Sequence, residues 1–197
     1  MSLYWTVHKV VGLFFKYICH WQVMGRENLP QSGPVIIISN HVGNWDPLAL
    51  AIAMNREVCY MAKQELFDIP LLGLIIKRLK AFPVKRGGGN RNALKAAQQI
   101  LQEGKVIGIF PEGTRSRTGH LQPFKAGAAV LAQRTGSPIV PVGLINTRNV
   151  LRKGWFRSFA VNIGPPIFVE KRDIIETEQV EALTKILEIK VRQLTEV

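Results

Sequence analysis

Two short segments hold the residue types that could do chemistry. The first is Asn40-His41-Val42-Gly43-Asn44-Trp45-Asp46-Pro47. Histidine is the side chain best suited to move a proton near neutral pH. A carboxylate beside it would fix its tautomer and stabilise its charged form. An acid five residues on would sit about 140° round a regular helix. This stretch is not helix-like, because Gly43 and Asn44 are turn residues and Pro47 biases Asp46 away from helical angles. Such a turn can return the carboxylate to the imidazole, which pairs a base with its orienting acid. Taken singly, Asp46 also reads as a helix cap and His41 as a loop histidine. The second segment is Phe110-Pro111-Glu112-Gly113-Thr114-Arg115-Ser116. It places a carboxylate, a glycine and a guanidinium within four residues. Arginine grips a phosphate bidentately, and main-chain amides in such a turn can cradle one. Arg86, followed by Gly87-Gly88-Gly89, is a further candidate anion site. Those glycines form neither GxGxxG nor a P-loop, so a plain hairpin accounts for them equally well.

Both segments follow apolar runs suited to buried strands, Pro34–Ser39 and Val106–Phe110. Further strands are expected at Val58–Ala62, Ala81–Arg86, Ile139–Ile145 and Phe159–Ile163. Helices are expected at Pro47–Asn55, Ile69–Leu79, Arg91–Glu103 and Lys125–Arg134. Asn90 caps the third of these, and Asp173 caps a last helix with Val180, Leu183, Leu187, Val191 and Leu194 on one stripe. The alternation predicts an α/β fold, with a single mixed or mostly parallel sheet flanked by helices.

Residues 3–21 stand apart. Leu3, Val7, Val10, Phe14, Ile18 and Trp21 recur at helical spacing, with Lys9, Lys16 and His20 opposite. The lysines interrupt what would otherwise be a span, and no basic lead-in or cleavage site suggests a signal peptide. Trp5, Tyr17 and Trp21 favour the headgroup region. The segment reads as an amphipathic, membrane-associated anchor over residues 1–22, ahead of one domain over residues 23–197. The alternative is a helix packed on the domain's own core.

The 197 residues are 47% hydrophobic and carry a net charge of +12, which excludes disorder and points to an anionic surface. Between Gly104 and Val169 the only acid is Glu112, among nine basic residues, and an ordinary ion pair is the simplest reason for it. Cys19 and Cys59 are the only cysteines, and His8, His20, His41 and His120 are scattered, so neither a disulfide framework nor a metal cage is expected. A nucleic-acid module would be basic too, but the aromatic residues cluster at the N-terminus and do not interleave with the basic runs. Neither that reading nor a non-catalytic membrane binder gives His41 and Asp46 a use.

NHxxxxD at Asn40–Asp46 together with FPEGTRS at Phe110–Ser116 resembles the glycerophospholipid acyltransferase family. Phe82-Pro-Val-Lys-Arg86, Ile139-Val-Pro-Val-Gly143, Gly25–Pro30 and Phe124–Gly127 are similar to further blocks of it, so the resemblance spans roughly residues 23–165. The sequence departs from the pattern at Lys85, where an acid commonly precedes the arginine. The resemblance implies transfer of a fatty acyl group from an acyl-carrier protein or coenzyme A thioester to the hydroxyl of 1-acylglycerol 3-phosphate (lysophosphatidic acid), with glycerol 3-phosphate or another lysophospholipid as the alternative acceptor. The product would be phosphatidic acid, in phospholipid biosynthesis. It implies His41 as general base and Asp46 as its orienting acid. Arg86 would bind the acceptor phosphate, with Arg115 and Lys125 as weaker candidates, and Glu112, Gly113 and Thr114 would line the acceptor site. No Ser sits in GxSxG, so direct attack on the thioester is expected, with no metal or bound cofactor. Leu71–Leu79 could line the acyl chain or simply pack the core. The expected setting is the cytoplasmic face of the cell membrane, peripheral or monotopic, with anionic lipid as partner and no nucleic acid.

Overall fold

The computed structural model describes residues 2–84, 90–152 and 155–196. In chain order the elements are α1 (Leu3–Tyr17), β1 (Gln22–Met24), β2 (Val35–Ser39), α2 (Asp46–Ala53), β3 (Val58–Lys63), α3 (Gln64–Phe67), α4 (Leu72–Arg78) and β4 (Ala81–Val84). They continue with α5 (Asn90–Gln102), β5 (Val106–Ile109), α6 (Gly127–Thr135), β6 (Ile139–Ile145), β7 (Leu151–Arg152), β8 (Trp155–Phe156), β9 (Ala160–Ile163) and α7 (Thr177–Thr195). Seven strands form one sheet in the order β1-β9-β6-β2-β5-β3-β4. β6, β2, β5, β3 and β4 are mutually parallel, β9 runs antiparallel to β6, and β1 is parallel to β9. The sheet is therefore mixed and mostly parallel, as expected, and β7 and β8 add a separate two-stranded ribbon.

The sheet is covered on both faces, which is why its central strands are apolar throughout. All five residues of β2 are buried. Val35 and Ile37 face Ala49, Leu50 and Ala53 of α2 and Phe15 of α1. Ile36 and Ile38 face Leu101 of α5, Leu131 and Ala132 of α6, and Leu187 and Val191 of α7. The chain leaves β2 toward β3 on one side and leaves β5 toward β6 on the other. The carboxyl ends of β2 and β5 thus flank the crevice where open α/β sheets bind their ligands.

Several boundaries differ from the sequence reading. The helix expected over Ile69–Leu79 starts late, as α4 from Leu72, because Leu71 adopts φ +65°, and the short α3 ahead of it was not expected. α7 starts at Thr177 with Glu176 at its cap, not Asp173, because the Arg172 N–H donates to the Gln133 carbonyl and pins the preceding stretch to α6. α6 begins at Gly127, since Lys125 is held in the loop by donating its N–H to the Pro111 carbonyl. β1, β7 and β8 were not expected at all. The end of the Ala81–Arg86 run and the three glycines lie outside the described residues.

α1 has two unlike sides. Tyr4, Phe15 and, just after the helix, Cys19 are buried, and Phe15 and Cys19 belong to the core against α2. Leu3, Val10, Leu13, Tyr17 and Ile18 stay exposed. Among the described residues no helix is long and apolar enough to cross a membrane.

Candidate active site

The loop after β2 closes round a single carboxylate. Asp46, at the start of α2, is fully buried. Its Oδ2 accepts from the N–H groups of Val42 at 2.6 Å and Gly43 at 2.7 Å, and from Nδ1 of His41 at 2.7 Å. Its Oδ1 accepts from the Thr147 hydroxyl at 2.5 Å. The turn anticipated from Gly43 and Asn44 therefore forms, and it brings residues five apart into contact. Gly43 is needed there, because a Cβ would lie 3.0 Å from both the Arg148 Cα and the Thr147 carbonyl oxygen. With Nδ1–H donating to Asp46, Nε2 of His41 keeps its lone pair for a proton. Asn40 anchors the loop from the other end. Its side chain accepts from the Leu144 N–H at 2.7 Å and donates to the Leu144 carbonyl at 2.9 Å.

The loop after β5 braces His41 from below. Phe110 stacks on the imidazole with ring centroids 4.2 Å apart and planes 21° from parallel. Glu112 is 3% exposed, and its two oxygens accept from the N–H groups of His41 at 2.7 Å and Gln122 at 3.1 Å. The Ser116 N–H in turn donates to the His41 carbonyl at 2.7 Å. The lone acid of the basic stretch therefore pairs with main-chain amides. Among the described residues it forms no ion pair. Burial raises the Glu112 carboxyl above its ordinary value, and the two N–H donors pull it part of the way back. With both oxygens taken by the main chain, Glu112 holds the histidine loop instead of facing open space.

Gly113 adopts φ +75°, and Lys125 lies across it, with Nζ 2.7 Å from where a Cβ would be. His41, Asp46, Glu112, Gly113 and Lys125 therefore share one region. Thr114 and Arg115 follow on the same loop with exposed side chains. Arg86 lies outside the described residues.

An apolar cleft of 530 Å³ opens beside the imidazole. His41, Phe110 and Gly113 border one part of it. Leu48 and Ala51 of α2, Ile76 of α4 and Val7 of α1 wall the rest. From the Leu71–Leu79 stretch, Ile76 and Leu79 line it, whereas Leu71, Leu74 and Ile75 are exposed. Gly108 leaves room for the Tyr60 ring, which a Cβ would approach to 2.3 Å. Burial pushes the Tyr60 phenol well up, and its hydroxyl has no hydrogen-bond partner among the described residues. Among the described residues, no group of three or more His, Cys, Asp or Glu side chains is placed to hold a metal ion. Sequence reasoning missed Thr147 and Tyr60, and it placed Asn40 in the motif without giving it a role. Only Asn40, beside His41, carried a local signal.

Residues 20–145 match the pattern of the acyltransferase family. The chain belongs to that family. Among similar members is the 1-acyl-sn-glycerol-3-phosphate acyltransferase of Bacillus subtilis, 32% identical over 178 residues, covering 88% of this chain and 87% of that protein. The enzyme of the same name from Borreliella burgdorferi is 34% identical over 78% of this chain. This chain spans 61% of that relative's length, and 46% of the chloroplastic Brassica napus protein BAT2, which is 33% identical. The crystal structure of the 1-acyl-sn-glycerophosphate (LPA) acyltransferase PlsC from Thermotoga maritima superposes with a TM-score of 0.74 at 26% identity, over 97% of this chain and 76% of that one. The acyltransferase fold thus extends over nearly the whole chain.

Proposed function

We propose that this chain transfers a fatty acyl group from an acyl thioester to the free hydroxyl of 1-acylglycerol 3-phosphate, giving phosphatidic acid. The observation that carries the reading is the His41–Asp46 pair at the edge of an apolar cleft. The names of the relatives supply the acceptor class. Nε2 of His41 takes the hydroxyl proton while Asp46 steadies the imidazolium. The hydroxyl oxygen attacks the thioester carbonyl, the C–O bond forms and the C–S bond breaks. The thiolate leaves readily because thiols ionise near pH 8.5, and it takes the proton back from His41 or from water.

The donor's acyl chain lies in the cleft against Leu48, Ala51 and Ile76. Lys125, Arg115 and Arg86 supply the positive charge for the acceptor phosphate, and Gly113 and Thr114 border its glycerol end. Glu112 acts as a positioning residue through the His41 main chain. This chemistry calls on no metal and no bound cofactor. Because substrate and product are lipids, the enzyme works at the cytoplasmic face of the membrane, with the exposed stripe of α1 turned toward anionic lipid.

The test supplies lysophosphatidic acid or glycerol 3-phosphate as acceptor, and acyl-coenzyme A or acyl-carrier protein as donor, and follows free thiol and lipid product. Phosphatidic acid is expected with at least one donor, and with lysophosphatidic acid in preference to glycerol 3-phosphate. Release of thiol by water alone, with no acylated lipid, contradicts the reading.

A further inference from the structure

Beside α1 lies a second apolar projection that the proposed chemistry does not use. The β7–β8 hairpin pairs Leu151 with Phe156 and Arg152 with Trp155. Leu151 is 51% and Trp155 72% exposed, large values for such side chains. The hairpin is rooted in the protein. Val150 is fully buried, the Arg157 N–H donates to the Val150 carbonyl at 2.8 Å, and Phe156 meets Phe14 of α1 edge to face at 4.9 Å. Two-stranded hairpins this short are not stable alone, so these contacts are what hold the hairpin in place, with Leu151 and Trp155 exposed on its two opposite faces.

Charge identifies the occupant. Residues 148–157 contain Arg148, Arg152, Lys153 and Arg157 and no acid. Tryptophan among cations is the composition that settles at the headgroup level of a bilayer and is drawn to anionic lipid. The exposed side chains of α1, Val10, Leu13 and Tyr17, belong to the helix that Phe156 touches. We propose that the β7–β8 hairpin inserts Leu151 and Trp155 into the headgroup region of an anionic lipid surface, as a second contact beside α1. The proposal rests on the reading that the substrates are membrane lipids. It also gives the site an orientation. The hairpin begins four residues after Thr147, whose hydroxyl holds Asp46, so a hairpin seated in lipid keeps the proton-transferring pair next to the surface that supplies the acceptor.

The experiment uses the full chain, vesicles of pure phosphatidylcholine, and vesicles with added phosphatidylglycerol. Partitioning is read by co-sedimentation, and insertion by quenching of tryptophan emission with brominated lipid. Leu151→Ser/Trp155→Ser is expected to weaken partitioning to anionic vesicles about tenfold or more and to lose part of the quenching. Its melting temperature, and its turnover of a short-chain acceptor below the concentration at which it aggregates, should be unchanged. Val10→Ser/Tyr17→Ser serves as the comparison. If that variant loses vesicle binding while the hairpin variant keeps it, the hairpin proposal is overturned and the membrane reading stands. If the wild-type chain ignores both vesicle types, the membrane reading falls and the hairpin proposal with it. Loss of binding to a DNA oligonucleotide with vesicle binding intact overturns it as well.

Discussion

Burial raises the Glu112 carboxyl, so over a range of pH the folded chain keeps a proton that the unfolded chain has released. Stability must then fall as pH rises from the ordinary carboxyl value of 4.5 through the raised folded value, because the unfolded state binds fewer protons there. Glu112→Gln removes that titration. It also turns an amide N–H₂ toward one of the two main-chain donors, so it should loosen the His41 loop and lower turnover. The expected outcome is a stability difference, wild type minus Glu112→Gln, that declines in urea unfolding series as pH rises above the ordinary carboxyl value of 4.5. A difference that grows with pH contradicts the burial assignment. The same residue marks where sequence reading stops. His41 and Asp46 were legible as a pair because five residues and two turn formers define a local geometry. The partners of Glu112 are main-chain amides, which leave no trace in side-chain pattern, and an ion pair was the simplest expectation. Thr147 is equally hidden, since 101 residues separate it from the carboxylate it holds.

At the scale of elements, the long apolar strands and α7 were read closely because their periodicity runs over enough residues to register. The three residues of β1 and the two each of β7 and β8 have no period to detect. The edge positions of the sheet and the exposed hairpin therefore emerged only with the fold. α1 shows a different limit, because periodicity reports that a helix has an apolar side without saying what covers it. Phe15 is fully buried in the core, so Phe15→Ala should cost about 3–5 kcal/mol. Val10→Ser/Tyr17→Ser, on the exposed stripe, should change stability by no more than about 0.5 kcal/mol per site. Thermal or urea unfolding of the two variants decides this. Equal destabilisation by both would mean that the stripe is packed against protein. Deleting the whole segment would confound the two sides of the helix, since it removes Tyr4 and Phe15 along with the stripe.

At the scale of the molecule, the sheet does two things for the site. It sets the carboxyl ends of β2 and β5 side by side, which lets the Glu112 loop grip the His41 loop through two hydrogen bonds to the His41 main chain. It also leaves α1, α2 and α4 on one face to wall an apolar cleft that begins at the imidazole. The His41–Asp46 pair and an apolar space thus meet at one point, in a chain whose net charge is +12. The central claim is that His41 removes the acceptor's proton. The direct measurement is the rate of acyl transfer by His41→Ala, on protein shown to be folded by its melting curve. The side chain is 18% exposed and the hydrogen bonds of the His41 main chain do not need the imidazole, so the fold should survive. The account predicts a fall in turnover of about 10²–10⁴-fold, the usual contribution of a general base. A folded His41→Ala protein that transfers acyl groups at close to the wild-type rate would contradict it.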